Sequence, residues 1–189
     1  MGKKIFIISG PSGSGKTALL RRLFRLTSVK RKFLRIPTFT TRAPRRGEKN
    51  FLDYRFLTKE EFLRLKRKDF FLETKKYLED FYGTPKSFLR EAKRKFPILC
   101  IDVEGALRIR RKFREKVVLI FLHPPSSKVL KTRLRKRKTE PEEILKKRLR
   151  IAEKEVKYAK KYKYQLVNKN LGKTVERLKE ILFKEIKER

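Results

Sequence analysis

Residues 5–17 run Ile5-Phe6-Ile7-Ile8-Ser9-Gly10-Pro11-Ser12-Gly13-Ser14-Gly15-Lys16-Thr17, and the rest of the chain is read outward from them. A continuous apolar run that stops at a glycine-rich loop is a buried strand of a parallel sheet, because such strands are covered on both faces. Residues 10–17 satisfy G-x-x-x-x-G-K-[ST], and Leu19, Leu20, Leu23 and Phe24 recur behind them at helical spacing. Strand, loop and helix in that order are the context in which the pattern has chemical meaning. Glycines let backbone N–H groups turn inward around phosphate oxygens, and the helix N-terminus adds partial positive charge. Lys16 reaches the β- and γ-phosphates, and the Thr17 hydroxyl is placed to ligate Mg²⁺. Gly10, Pro11, Ser12, Gly13, Ser14, Gly15, Lys16 and Thr17 are therefore read as a nucleoside triphosphate site.

Further along, Ile98 to Ile101, Val117 to Leu122 and the shorter Tyr164 to Val167 are strand candidates. Helical stretches are expected at Glu60 to Arg67, Ser87 to Lys95, about Glu142 to Lys161, and Val175 to Ile186. Strands that alternate with helices predict an α/β fold with a central, largely parallel sheet. Two stretches break the rhythm. From about Pro37 to Arg94 the segments alternate and are rich in aromatics, which predicts a small β-rich insert, and Ser126 to Ile151 is strongly basic. The expected organisation is one core (1–36, 95–125 and 152–189) with inserts at 37–94 and 126–151.

The chain has 189 residues, with 56 Lys+Arg against 21 Asp+Glu and a net charge of +35. Fifteen Phe and six Tyr are too many for a disordered basic tail. No apolar run approaches the ~20 residues needed to span a bilayer, and residues 1–10 are too short and too quickly polar for a signal peptide. Cys100 and His123 are the only residues of their types, which argues against a disulfide framework or a structural metal site. A soluble, cytoplasmic protein without membrane contact is expected, as a monomer or homodimer. The charge makes polyanions natural partners, while the scarcity of Gln, Asn, Met and Cys fits adaptation to heat.

Thr40-Thr41-Arg42-Ala43-Pro44-Arg45-Arg46-Gly47-Glu48, followed by Asp53-Tyr54, offers a second anion site. Arg42 and Arg45 flank a proline, and two guanidinium forks clamp one phosphate from two sides. Tyr54 and Tyr82 can each donate a phenolic O–H to the same anion.

With these motifs the chain resembles the guanylate kinases over nearly its full length. The matches are G-P-S-G-S-G-K-T at 10–17, T-T-R-A-P-R-R-G-E at 40–48, D-Y at 53–54, F-L-E at 71–73, Y-G-T at 82–84, I-D-V-E-G at 101–105 and P-P-S at 124–126. The resemblance implies a P-loop core with a nucleoside-monophosphate-binding insert and a helical lid, ATP and GMP (or dGMP) as substrates, and Mg²⁺ as cofactor. It implies that Arg42, Arg45, Tyr54 and Tyr82 hold the GMP phosphate, with Glu48 supporting the arginines. It places Thr38, Glu73, Thr84 and Asp102 around guanine, Arg133, Arg137 and Arg148 on the transferring phosphates, and Asn168 near adenine. Departures are Cys100 where the family usually has Asp, Phe51 where Gly is usual, Lys169 for Asp and Glu104 for Gln.

Glu73 also has a chemical argument of its own. Guanine presents N1–H and an N2 amino group side by side, and an ionised carboxylate accepts both. Adenine would set an unprotonated N1 against that carboxylate, and mispaired buried groups support large discrimination. Alternatives are another P-loop phosphotransferase, such as a ribose bisphosphate phosphokinase, a non-catalytic module that binds protein, and an added RNA-binding role resting on charge. The first lacks need of a base reader, and the second lacks need of Lys16 and Thr17.

Overall fold

Successive side chains along β1 (Ile5–Ser9) point to opposite faces, and both faces are buried. The computed structural model describes residues 3–45, 47–135 and 142–187. β1 is the middle of a five-stranded sheet in which β2 (Phe33–Ile36), β7 (Phe96–Cys100), β1, β8 (Val117–His123) and β9 (Tyr164–Val167) lie side by side, all parallel. Phe6 and Ile8 face α1 (Lys16–Leu23) and α8 (Leu171–Lys187), packing with Leu19, Leu20, Leu23, Val175, Leu178 and Leu182. Ile5 and Ile7 face the other way, towards Val103, Ala106 and Ile109 of α5 (Val103–Phe113). Helices on both faces of a parallel sheet make three layers.

The insert builds a second sheet. Its order is β4 (Tyr54–Phe56), β3 (Thr38–Thr40), β6 (Asp80–Pro85) and β5 (Phe71–Tyr77), with β5, β6 and β3 antiparallel and β4 parallel to β3. Its apolar face is aromatic: Phe62 of α3 (Lys59–Arg67) stacks on Phe71 with ring centroids 4.6 Å apart and on Phe81 at 5.6 Å. α3 begins on a capping box, with Thr58 Oγ1 accepting from Glu61 N and the Glu61 carboxylate accepting from Thr58 N.

α4 (Phe88–Glu91) is shorter than the expected 87–95 helix, yet its Phe88 is fully buried against the core sheet. After β8 come α6 (Ser127–Arg135) and α7 (Glu142–Lys157), joined by their own small cluster of Leu130, Leu134, Leu145 and Ala152. α7 continues unbroken past Ile151, and a short 3-10 turn at Tyr158–Lys161 leads into β9. α2 (Thr27–Lys32) and β2 complete the chain path between α1 and the insert. Among the described residues no helix is long and apolar enough to cross a membrane.

Candidate functional site

The carboxyl ends of β1, β7 and β8 meet where the strand order departs to either side of β1, and such crevices are where open parallel sheets bind ligands. A cleft of about 710 Å³ opens there. One wall is the loop between β1 and α1, and the opposite wall is the second sheet with α7 closing the side.

Gly15 caps α1 in a left-handed conformation (φ 99°), and a Cβ at that position would lie 2.3 Å from the Asn168 amide. Only glycine satisfies both demands. Asn168, buried after β9, donates from Nδ2 to Ser14 O at 2.9 Å and so pins the loop from a strand two places along the sheet. Lys16 folds back along the loop, donating to the carbonyls of Gly10 and Pro11. Arg133 on α6 reaches Gly13 O at 3.2 Å, and Arg148 on α7 reaches Ser12 Oγ at 3.4 Å. Two arginines from the α6–α7 pair thus touch the loop. Arg137 lies outside the described residues, as does Arg46.

At the far end, Glu48 organises the arginine turn. Its Oε2 accepts from Arg42 Nη2 and from Arg45 N, both at 2.8 Å, while Arg42 N is held by Thr40 Oγ1 at 3.2 Å. The Arg42 guanidinium sits 5.3 Å from the centroid of the Tyr54 ring, and Tyr54 meets Tyr82 edge-on at 6.4 Å. Burial, with Arg42 alongside, lowers the Arg45 guanidinium from its usual range without neutralising it. Burial raises the Tyr54 phenol well above its usual range, so its hydroxyl stays a donor. The Glu48 carboxylate bonds one guanidinium, that of Arg42, and the backbone N–H of Arg45, so two guanidinium charges stand against one carboxylate, an excess suited to a phosphate dianion.

Between these ends stands Glu73, on β5. Thr84 Oγ1 on β6 donates to Glu73 Oε1 at 2.6 Å, and burial raises the carboxyl to about 6 against the opposing pull of that hydroxyl. Gly105 explains how Glu73 fits: a Cβ at 105 would come within 2.8 Å of Glu73 Oε2. Asp102 lines the same cleft and caps α5, with Oδ1 accepting from Glu104 N (2.9 Å), Gly105 N (3.2 Å) and Lys75 Nζ (3.2 Å). Thr38 Oγ1 leans on Cys100 O at 3.4 Å, and burial pushes the Cys100 thiol up. Lys75, Tyr77, Gly105 and Glu155 were not anticipated as parts of this site. Glu155, on α7, faces the cleft; burial raises its carboxyl to about 7, partly offset by Lys16.

Asp53 has a role the D-Y motif alone does not reveal. Its buried carboxylate takes Arg21 from α1 (Nε–Oδ1 2.9 Å), Arg35 from β2 (3.0 Å) and Lys49 N (2.9 Å). Arg21 also donates to Gly47 O at 2.7 Å, so the helix behind the glycine-rich loop is tied to the arginine turn.

One cleft therefore brings together a glycine-rich loop with its lysine, the arginine turn and a carboxylate–hydroxyl pair between them. A guanylate kinase family model matches residues 2–185. The chain belongs to the guanylate kinase family. A guanylate kinase of Onion yellows phytoplasma is 42% identical over 178 residues, covering 92% of this chain and 82% of that protein. One from Caldanaerobacter subterraneus subsp. tengcongensis is 39% identical over 184 residues, covering 96% and 87%. The crystal structure of guanylate kinase from Anaplasma phagocytophilum superposes with a TM-score of 0.79 at 32% identity, covering 97% of this chain and 86% of that one.

Proposed function

We propose that this guanylate kinase transfers the γ-phosphoryl group of ATP to GMP or dGMP, giving ADP and GDP or dGDP, in the cytoplasm. The observation that carries the reading is the position of the Glu73–Thr84 pair in the same cleft as Lys16 and the Arg42–Arg45 turn. In this reading the loop amides and Lys16 take the ATP phosphates, and Arg42, Arg45, Tyr54 and Tyr82 take the phosphate of GMP. Glu73 accepts guanine N1–H and N2–H while Thr84 fixes its orientation, with Thr38 and Asp102 alongside. Arg133 and Arg148, with Arg137, neutralise charge that develops on the transferring group. Transfer of this kind rests on positioning and charge neutralisation, so the lone His123 needs no part in it.

Among the described residues no group of three or more His, Cys, Asp or Glu is placed to hold a metal ion. The donor offered at the loop is the Thr17 hydroxyl, in the first turn of α1. That suits Mg²⁺, which keeps several waters and takes most other ligands from substrate phosphates. Thr17 would hold the ion, which would neutralise phosphate charge.

An acceptor screen with ATP and MgCl₂ tests the reading: turnover with GMP and dGMP, and at least 100-fold less with AMP, CMP and UMP, is expected. Turnover with AMP or UMP but not GMP would overturn it.

A further inference from the structure

In a parallel sheet every strand enters at one edge and leaves at the other. The registers Phe33–Phe96, Phe6–Ile98 and Ile5–Val117 bring the starts of β2, β7, β1 and β8 to one level. The residues leading into the five strands are 3–4, 30–32, 93–95, 114–116 and 160–163, and these 15 positions hold 13 bases and one acid, Glu115. The three residues leaving each strand (10–12, 37–39, 101–103, 124–126 and 168–170) hold one base and one acid in 15. The strand lead-ins thus form a basic band of their own, separate from the bases of the nucleotide cleft and of residues 126–151.

The basic edge is a continuous surface. Ten of its 13 bases are exposed. Lys95 Nζ reaches Lys30 O at 2.7 Å, and Lys3 reaches Arg94 O, stitching neighbouring lead-ins together. A polar hollow of about 620 Å³ opens at this edge, lined by Lys4, Arg110, Lys161 and Lys163 with Glu115 and Glu185. Both carboxylates are already engaged, Glu115 by Arg110 at 3.3 Å, and Glu185 by Lys4 at 2.8 Å and Lys163 at 2.5 Å. A helix end needs one or two cations to meet its dipole, whereas residues 30–32 alone supply three.

We infer that the strand-entry edge of the core sheet docks a nucleic-acid duplex through its phosphates, without reading its sequence. Five strands spaced ~4.8 Å apart span about 19 Å, and a duplex carries about 11 phosphates over that length. The ten exposed bases of this edge are of that order. An anionic membrane also attracts a basic surface, but a firm membrane anchor adds apolar side chains or a lipid that inserts. The exposed large apolar residues among those described are Phe51, Leu52, Leu89, Val156, Tyr158 and Val167, none of which falls in the five segments.

The test is fluorescence anisotropy of the full chain with a labelled 20-base-pair duplex of mixed sequence, in RNA and DNA forms, from 50 to 200 mM KCl. The two forms are expected to bind within threefold of each other, with affinity falling at least tenfold across that salt range. The combined change Lys32→Ser, Lys93→Ser, Arg94→Ser and Lys116→Ser should weaken binding at least tenfold and flatten the salt slope. Lys59→Ser, Arg64→Ser, Arg67→Ser and Lys68→Ser together remove the same charge from α3 and the residue that caps it, and should change it less than threefold. Thermal melts establish that both variants fold. Saturating GMP with a non-hydrolysable ATP analogue should leave duplex binding unchanged, because that cleft lies at the opposite edge. Equal loss in both variants, displacement by nucleotides, a tenfold preference for one sugar, or binding to phosphatidylserine vesicles but not to either duplex would each overturn the inference.

Discussion

Gly105 and Glu73 come from different elements and are 32 positions apart, yet one has no side chain because of the other. Replacing Glu73 with Gln swaps one of two acceptors for a donor that faces a guanine donor. The kcat/KM for GMP should fall by about two to four orders of magnitude, with ATP binding retained. Gly105→Ala, which forces the carboxylate aside, should cost about tenfold. A carboxyl titrating at about 6 is ionised above that pH. The ratio of wild-type to Glu73→Gln activity on GMP should therefore drop as pH falls through 6, and this ratio cancels the second ionisation of the substrate phosphate, itself near 6. A flat ratio between pH 5 and 8 would remove Glu73 as the guanine acceptor. Single residues were legible in the sequence only where a short motif held them together, as in residues 10–17 and 40–48. Gly105, Lys75, Tyr77 and Glu155 acquire meaning only through contacts between segments that are remote in the chain. Phe51 shows the converse: the departure from glycine was visible, and the structure keeps a left-handed turn there (φ 62°) with Arg55 laid 3.6 Å over the exposed ring.

Among the elements, α8 is anchored by a carboxylate rather than by apolar packing alone. Burial pushes the Glu185 carboxyl up, but bonds from Lys163, Lys4 and Tyr164 outweigh it and hold the group at about 2. A carboxyl depressed on folding contributes stability above its unfolded pKa of ~4.5 and loses it as pH falls towards 2. Glu185→Gln should destabilise the chain by roughly 2–4 kcal/mol at pH 7, read from urea midpoints, and by much less at pH 3. Equal losses at the two pH values would show that the ion pairs contribute nothing. Apolar runs and 3.6-residue spacing revealed β1, β7, β8, β9, α3, α7 and α8 in the sequence. β2 passed unnoticed because it is four residues long with Arg35 in its middle. α5 passed unnoticed as well: Val103, Ala106 and Ile109 recur at helical spacing, but Gly105 in its first turn and the bases of its last turn obscure it.

For the whole molecule, a net charge of +35 sets a field that draws ATP and GMP in from a distance. Association of a fluorescent GMP analogue, followed by stopped flow, should slow about threefold or more between 20 and 200 mM KCl while dissociation changes little. Salt-independent association would confine the role of the charge to close contacts. The charge was visible in composition from the outset, but the gathering of the five basic lead-ins on one side was not, since they meet only once the strands are paired. α7 offers a last consequence at this scale. Arg148 and Glu155 lie seven residues apart on one unbroken helix, which is two turns or about 10 Å. The helix is a rigid rod carrying a cation for the loop and a carboxylate for the cleft, so neither can arrive without the other. Arg148 and Glu155 therefore keep one spacing, and the rod as a whole, with six bases and four acids, brings a net positive charge beside the cleft rather than a neutral pair.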